Sequence, residues 1–278
     1  MRIHWFPGHM TKAIRMMREE AKNVDSVIYV LDSRAPRSCL NDSFEEVIRG
    51  KTRLYVLNKA DLVARTEVLK WAEYFAGLGM ECIYTDSLSK KDSASIVKKL
   101  LKVNAGVIEK YRAKGVRKTV RAMVIGVPNS GKSTLINSLA PVKRAVTGNR
   151  PGVTRGKQWV SIGAGVELLD SPGVLYPDFS DEEKALRLAL IGSVRDEVVD
   201  ITELAREGYK LFSKIFPEAL EERYGELHEN ADGALEAIAV KRGLMLKGGV
   251  PDVERAAKTL ITDYRKGYLG KKPLEEPK

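Results

Sequence analysis

The stretch RAMVIGVPNSGKSTLINSL, residues 121–139, reads as an apolar strand over Arg121–Ile125 that passes through a glycine-bearing turn into a helix over Lys132–Leu139. Within it, Gly126-Val-Pro-Asn-Ser-Gly-Lys132-Ser133 fits G-x-x-x-x-G-K-[ST], and it stands between a strand and a helix as that pattern requires. The glycines let the backbone curl until successive N–H groups converge, and the positive end of the helix adds its field there. Such a cradle suits phosphate. Its expected contacts are Gly126, Asn129, Ser130, Gly131, Lys132, Ser133 and Thr134, with Lys132 reaching the outer phosphates and the Ser133 hydroxyl ligating Mg2+.

Downstream, the apolar run VELL ends in Asp170-Ser-Pro-Gly173, which puts a carboxylate at the C-terminal edge of a strand, 38 residues beyond Lys132. D-x-x-G alone is a weak pattern. Behind a phosphate loop it reads as the second half of a nucleoside triphosphate site, with Asp170 on the Mg2+ side and Gly173 on the phosphate side. Thr154, in the polar and glycine-rich stretch Gly148–Gly156, lies between them and can offer its hydroxyl to Mg2+ from a switch segment.

Upstream, Asn58-Lys-Ala-Asp61 follows the strand-like run RLYVL directly. A carboxylate placed like Asp61 accepts both the ring N–H and the exocyclic amine of guanine, a donor pair that adenine lacks. Asn58 is expected to tether the neighbouring loops and the Lys59 stem to cover a face of the base. Thr85-Asp86-Ser87, at the end of the next strand, supplies the remaining base contacts. The surrounding pattern is βαβα: strands over 24–34, 53–57 and 81–84 alternate with helices over 41–50, 64–78 and 93–103, which predicts a mostly parallel sheet covered on both faces. Residues 158–162 and 166–169 predict a hairpin. From Asp181 to Tyr268 the spacing turns helical, predicting a separate domain of four or five helices, and the polar tail KKPLEEPK predicts disorder.

These motifs resemble those of the translation-factor-related P-loop GTPases, but in permuted order. The usual succession is phosphate loop, switch threonine, D-x-x-G, N-K-x-D and last base loop. Here Asn58–Asp61 and Thr85–Ser87 come first. The resemblance implies an α/β circularly permuted P-loop GTPase with a mostly parallel sheet, over residues 1–178, followed by an all-α domain over 179–278. The basic segment around 105–118 is then the bridge that joins the usual ends. Within that class the chain most closely resembles the YlqF/RbgA family of ribosome-assembly GTPases, over nearly its whole length. His4-Trp-Phe-Pro-Gly-His9-Met-Thr-Lys12, Leu31-Asp-Ser-Arg-Ala-Pro36, the five nucleotide motifs and Pro151-Gly-Val-Thr154 carry it. Thr85-Asp86-Ser87 departs from the commoner Ser-Ala form of the last base loop.

The residue after Asp170–Gly173 is Val174, where many relatives place a glutamine that orients the attacking water. An apolar side chain can do neither this nor deprotonation. The resemblance suggests His9, at the start of an amphipathic helix, as the group that accepts a hydrogen bond from that water. Asn129 resembles the asparagine that coordinates K+ in potassium-activated GTPases, where a monovalent cation offsets developing phosphate charge.

Composition bounds the partner. Forty-seven Lys and Arg against 37 Asp and Glu give a net charge of +10, concentrated in nine basic residues against one acid over 98–121 and in five against none over 143–157. Such runs are polyanion footprints or solvated faces. The resemblance implies ribosomal RNA of the large subunit as the polyanion. In the C-terminal domain Lys241, Arg242, Lys247, Arg255, Lys258, Arg265 and Lys266 are interleaved with Tyr264 and Tyr268, which suit either base stacking or a helical core. Two cysteines exclude a disulfide framework or a cysteine zinc site. No run reaches the ~20 apolar residues of a membrane helix, so a cytoplasmic monomer without a membrane partner is expected. The leading expectation is a GTP-hydrolysing factor of late large-subunit assembly with ribosome-stimulated turnover; the alternative is a nucleotide-switched binding module in which hydrolysis has no part.

Overall fold

The computed structural model describes residues 7–89, 92–141, 158–171 and 181–277, with side chains from Ile14 onward apart from Gln158. Helix α1 (Pro7–Ala21) precedes β1 (Ser26–Asp32), α2 (Asp42–Val47), β2 (Thr52–Asn58), α3 (Arg65–Gly77), β3 (Cys82–Tyr84), α4 (Ser93–Val103) and α5 (Ala105–Arg112). Then come β4 (Val120–Ile125), α6 (Lys132–Leu139) and the hairpin β5 (Gln158–Gly163) and β6 (Val166–Asp170). Helices α7 (Glu182–Leu190), α8 (Ile201–Ile215), α9 (Pro217–Tyr224), α10 (Ala231–Lys241) and α11 (Val253–Arg265) follow.

The six strands lie in the order β3-β2-β1-β4-β6-β5, parallel except for the β5–β6 hairpin. Alternation along each strand sends residues to two faces. Ile28, Val30, Leu54, Val56, Ala122 and Val124 face α4 and α6 through Ile96, Leu100, Leu135 and Ile136. Val27, Tyr29, Leu31, Tyr55, Leu57 and Met123 belong to the other cluster, with Met17 of α1 and Trp71 and Phe75 of α3. Stacked rings of Tyr29, Tyr55 and Phe75, at centroid separations of 5.6 and 6.1 Å, run through its centre. Every residue of β1 is buried, as a central strand of a doubly covered sheet must be.

The same apolar cluster continues without a break into Leu188, Leu190, Leu204, Phe212, Leu260 and Tyr264 of the helical region. The residues around position 178, where the composition changes, lie outside those described. The helices thus share the core of one face of the sheet. Their caps are legible: Asp200 accepts from the N–H groups of Thr202 and Glu203, and Asp252 from that of Arg255.

The tail departs from expectation. Instead of being disordered, residues 271–277 fold back onto the loops that follow β1 and β2: the Leu274 N–H donates to the Arg34 carbonyl at 2.7 Å, and the Lys271 carbonyl accepts from the Ala64 N–H at 2.7 Å. Leu274 and Glu275 are buried. The Glu275 carboxylate accepts from the N–H groups of Arg37 and Ser38, at 2.5 and 3.0 Å, and from the Ser38 hydroxyl at 2.6 Å. A polar sequence is ordered here because its acid satisfies backbone donors of a distant loop.

Candidate nucleotide site

The parallel strands deliver the site residues to one edge. Strand β4 ends at Ile125 and the chain enters the phosphate loop at Gly126, φ +151°, where a Cβ would run into the Val30 carbonyl. Gly131, φ +93°, caps α6, and a Cβ there would meet the Asn58 amide. Both positions demand glycine for backbone conformation and close approach together. Asn129 holds φ +57°, a region that asparagine tolerates better than most residues. The Lys132 ammonium is buried and donates to the carbonyls of Gly126 and Val127, at 3.1 and 2.9 Å. Burial pushes it down to about 8, against the opposing pull of Asp170. The Ser130 hydroxyl is buried with no hydrogen-bond partner among the described residues. Together with the N-terminus of α6, a buried cation and an unpaired hydroxyl are what an incoming phosphate satisfies.

At the foot of α6, the Ser133 hydroxyl donates to Asp170 Oδ2 at 2.9 Å, across the junction of α6 and the end of β6. Asp170 is 1% exposed. A hydroxyl and a carboxylate side by side are hard oxygen donors, the chemistry Mg2+ selects when phosphates and water complete its shell. Ser171 anchors the following chain by donating its hydroxyl to the Val124 carbonyl.

On the other side of β1, Asn58 ends β2 and binds two loops at once. Its Nδ2 donates to the Ser130 carbonyl at 2.8 Å, while its Oδ1 accepts from the Ser87 hydroxyl at 2.6 Å and the Ser87 N–H at 3.2 Å. The phosphate loop and the last base loop, 72 and 29 positions away, therefore meet on one amide. Thr85 fixes the same corner: its carbonyl accepts from the Ala60 N–H at 3.1 Å and its hydroxyl donates to Asp92 at 3.2 Å. Asp86 accepts from the Leu88 N–H at 2.9 Å. Asp61 lies on the single turn Ala60–Leu62, open to solvent, its carboxyl raised by partial desolvation and by the nearby Asp86 charge.

Lys59 adopts φ +56°, unusual for a lysine, and its ammonium lies 2.8 Å from Asp32 Oδ2. Asp32 ends β1, level with Asn58 on β2, and is gripped by Arg34 Nε and Nη2 at 2.9 and 2.7 Å. Burial alone would raise the Asp32 carboxyl, but Arg34 and Lys59 outweigh it and hold the group well below the usual carboxylate range. Asp32 and Arg34 stand within the stretch Leu31–Pro36, where the sequence by itself gives neither a role. The helical region also reaches the site: Asn129 Nδ2 donates to the Gly192 carbonyl at 2.7 Å, and Arg34 Nη2 to that of Ile191 at 3.1 Å.

The side chain of His9, together with Thr154, Gly173 and the basic stretch 143–157, lies outside the described residues. Among the described residues, no cluster of three or more His, Cys, Asp or Glu side chains could hold a metal, and no helix is long and apolar enough to cross a membrane. Part of the basic surplus over 98–121 is paired within the fold: Lys99 with Glu81 at 2.6 Å, Lys118 with Asp25 at 2.9 Å and Arg121 with Glu167 at 3.0 Å. Tyr264 is core, stacked on Phe212 at 4.6 Å, and so is unavailable to a base; Tyr268 is 54% exposed under Arg223.

The family profile described as "50S ribosome-binding GTPase" matches residues 121–228. Ribosome biogenesis GTPase A of Bacillus cereus is 40% identical over 283 residues, spanning all of this chain and 95% of that protein. The Thermotoga maritima protein of the same name is 32% identical over 275 residues, covering 99% and 95%. Among solved structures, GNP-bound YlqF from T. maritima superposes with a TM-score of 0.71 at 30% identity, covering 96% of this chain and 99% of that one.

Proposed function

The chain belongs to the ribosome biogenesis GTPase A family, and on that premise we propose that it binds and hydrolyses GTP as an assembly factor acting late on the large ribosomal subunit. One observation supports the reading: Asn58 bonds to Ser130 and to Ser87, so the two loops read as phosphate-binding and base-binding meet on one side chain although the chain presents them in permuted order.

In that site Asp61 accepts the guanine donors, Lys59 covers a face of the base, and Thr85, Asp86 and Ser87 close the pocket beside it. On the phosphates, the N–H groups of Gly126 and of Asn129 to Thr134 donate, and phosphate oxygens take the place of the carbonyls to which the Lys132 ammonium now donates. Ser133, Asp170 and Thr154 are the residues that hold Mg2+, which supplies charge neutralisation on the terminal phosphates. Gly173 follows the γ-phosphate. Val174 cannot orient water; the family resemblance gives that role to His9, and to Asn129 the contact for K+ where potassium assists.

Residues 1–178 act as the GTPase domain and 179–278 as the helical domain that holds ribosomal RNA, with subunit-stimulated turnover ending the cytoplasmic binding cycle of a monomer. The test is nucleotide binding by calorimetry with GDP, the non-hydrolysable GTP analogue and ATP. Micromolar or tighter binding of both guanine nucleotides with no heat from ATP supports the reading; equal binding of ATP removes it.

A further inference from the structure

Four successive carbonyls at the end of α7 are taken by side chains from outside that helix. Those of Ala189 and Leu190 accept from Arg265 of α11, at 2.9 and 3.1 Å. Those of Ile191 and Gly192 accept from Arg34 and Asn129, at 3.1 and 2.7 Å. The first pair keeps the helical region together; the second pair comes from the nucleotide site.

Arg34 is 3% exposed, and its donors point two ways. Nε and Nη2 fork onto the two oxygens of Asp32, while Nη2 also reaches the Ile191 carbonyl and Nη1 the Arg265 carbonyl at 3.3 Å. The Tyr264 ring packs against the guanidinium at 5.7 Å. Asp32 Oδ2 in turn holds the Lys59 ammonium, and Lys59 keeps an unfavourable backbone conformation while doing so. A planar fork with five donors can fill all these positions at once, and an ammonium cannot.

We propose that Arg34 is a positioning residue for guanine recognition: through Asp32 it sets Lys59 over the base, and its bonds to the Ile191 and Arg265 carbonyls make the grip on the base depend on how α7 and α11 are seated. This rests on the guanine-nucleotide reading of the site. By linkage, the nucleotide and whatever partner the helical domain holds alter each other's affinity by the same factor.

The experiment is a double-mutant cycle on the full chain, read as GDP affinity by calorimetry, with Arg34→Lys, Lys59→Met and the double variant. If Arg34 acts through Lys59, each single change weakens GDP binding about tenfold and the double is no weaker than the weaker single. A merely structural role gives a lower melting temperature with unchanged GDP affinity, or losses that multiply, and either result overturns the proposal. Should Arg34→Lys not fold, Asp32→Asn replaces it in the same cycle, with the same overlap expected and multiplying losses again decisive against it. Failure of the guanine reading shows earlier and separately: the unmodified chain then gives no heat with GDP, and the proposal falls with it.

Discussion

Asn129 Nδ2 donates to the carbonyl of Gly192 at 2.7 Å, tying the fourth residue of the phosphate loop to the turn that ends α7. Asn129 pays for that contact with a left-handed backbone, φ +57°. Two substitutions separate the bond from the backbone. Asn129→Gly keeps the conformation and loses the amide, for a cost of about 1 kcal/mol; Asn129→Ala adds backbone strain, for about 2 kcal/mol in all. Urea denaturation measures both, and an Asn129→Gly variant as stable as the parent would mean the bond contributes nothing.

Lys132 is expected to make nucleotide binding depend on pH. Burial lowers its folded pKa to about 8, so between there and its ordinary 10.5 the unfolded chain holds more protons and the free protein gains stability as pH rises. On the proposed contact of phosphate with the ammonium, binding above pH 8 is expected to take up a proton. GDP affinity is expected to be flat below pH 8 and to fall by up to about tenfold per unit above it. Calorimetry at pH 8.5 in buffers of different ionisation heat should register the uptake, and Lys132→Met should abolish it.

Asn58 is the joint between phosphate and base loops. Asn58→Asp keeps an acceptor for Ser87 but turns an oxygen toward the Ser130 carbonyl, replacing a donor by a repelling lone pair. The expected loss is about 2 kcal/mol of GDP binding energy, without loss of the far-UV circular-dichroism signal of the chain.

The C-terminal strap contributes to stability. Leu274→Ala removes a side chain that is 2% exposed and should cost about 2–4 kcal/mol, while Glu275→Ala strands the donors of Arg37 and Ser38 for about 1–3 kcal/mol. Guanidinium unfolding curves give both values, and two unaltered midpoints would show that the tail does not hold the fold.

What could be read in advance follows from how local each signal is. The phosphate loop, Asn58–Asp61 and the strand-helix alternation are written in contiguous residues, and α6 and the hairpin of β5 and β6 fall where the pattern put them. The hold of Arg34 on the helical region is not legible in the sequence, because Ile191 and Arg265 lie 157 and 231 positions away and offer only backbone carbonyls, which every residue has. The strap failed for a similar reason. Its composition favours water, and partners far away in the chain reverse that preference, among them the N–H groups of Arg37 and Ser38, 238 and 237 positions from Glu275. By sequence Tyr264 suits core or base stacking alike, and the Phe212 ring stacked on it makes it core.

The most direct measurement is steady-state GTP hydrolysis with and without purified large ribosomal subunits, in K+ and in Na+, with ATP as the control nucleotide. Slow turnover is expected for the protein alone, with a rise of at least about tenfold on adding the subunit, confined to GTP and lost in His9→Ala while GTP affinity is kept. Tight GTP binding with no stimulation by the subunit would contradict it.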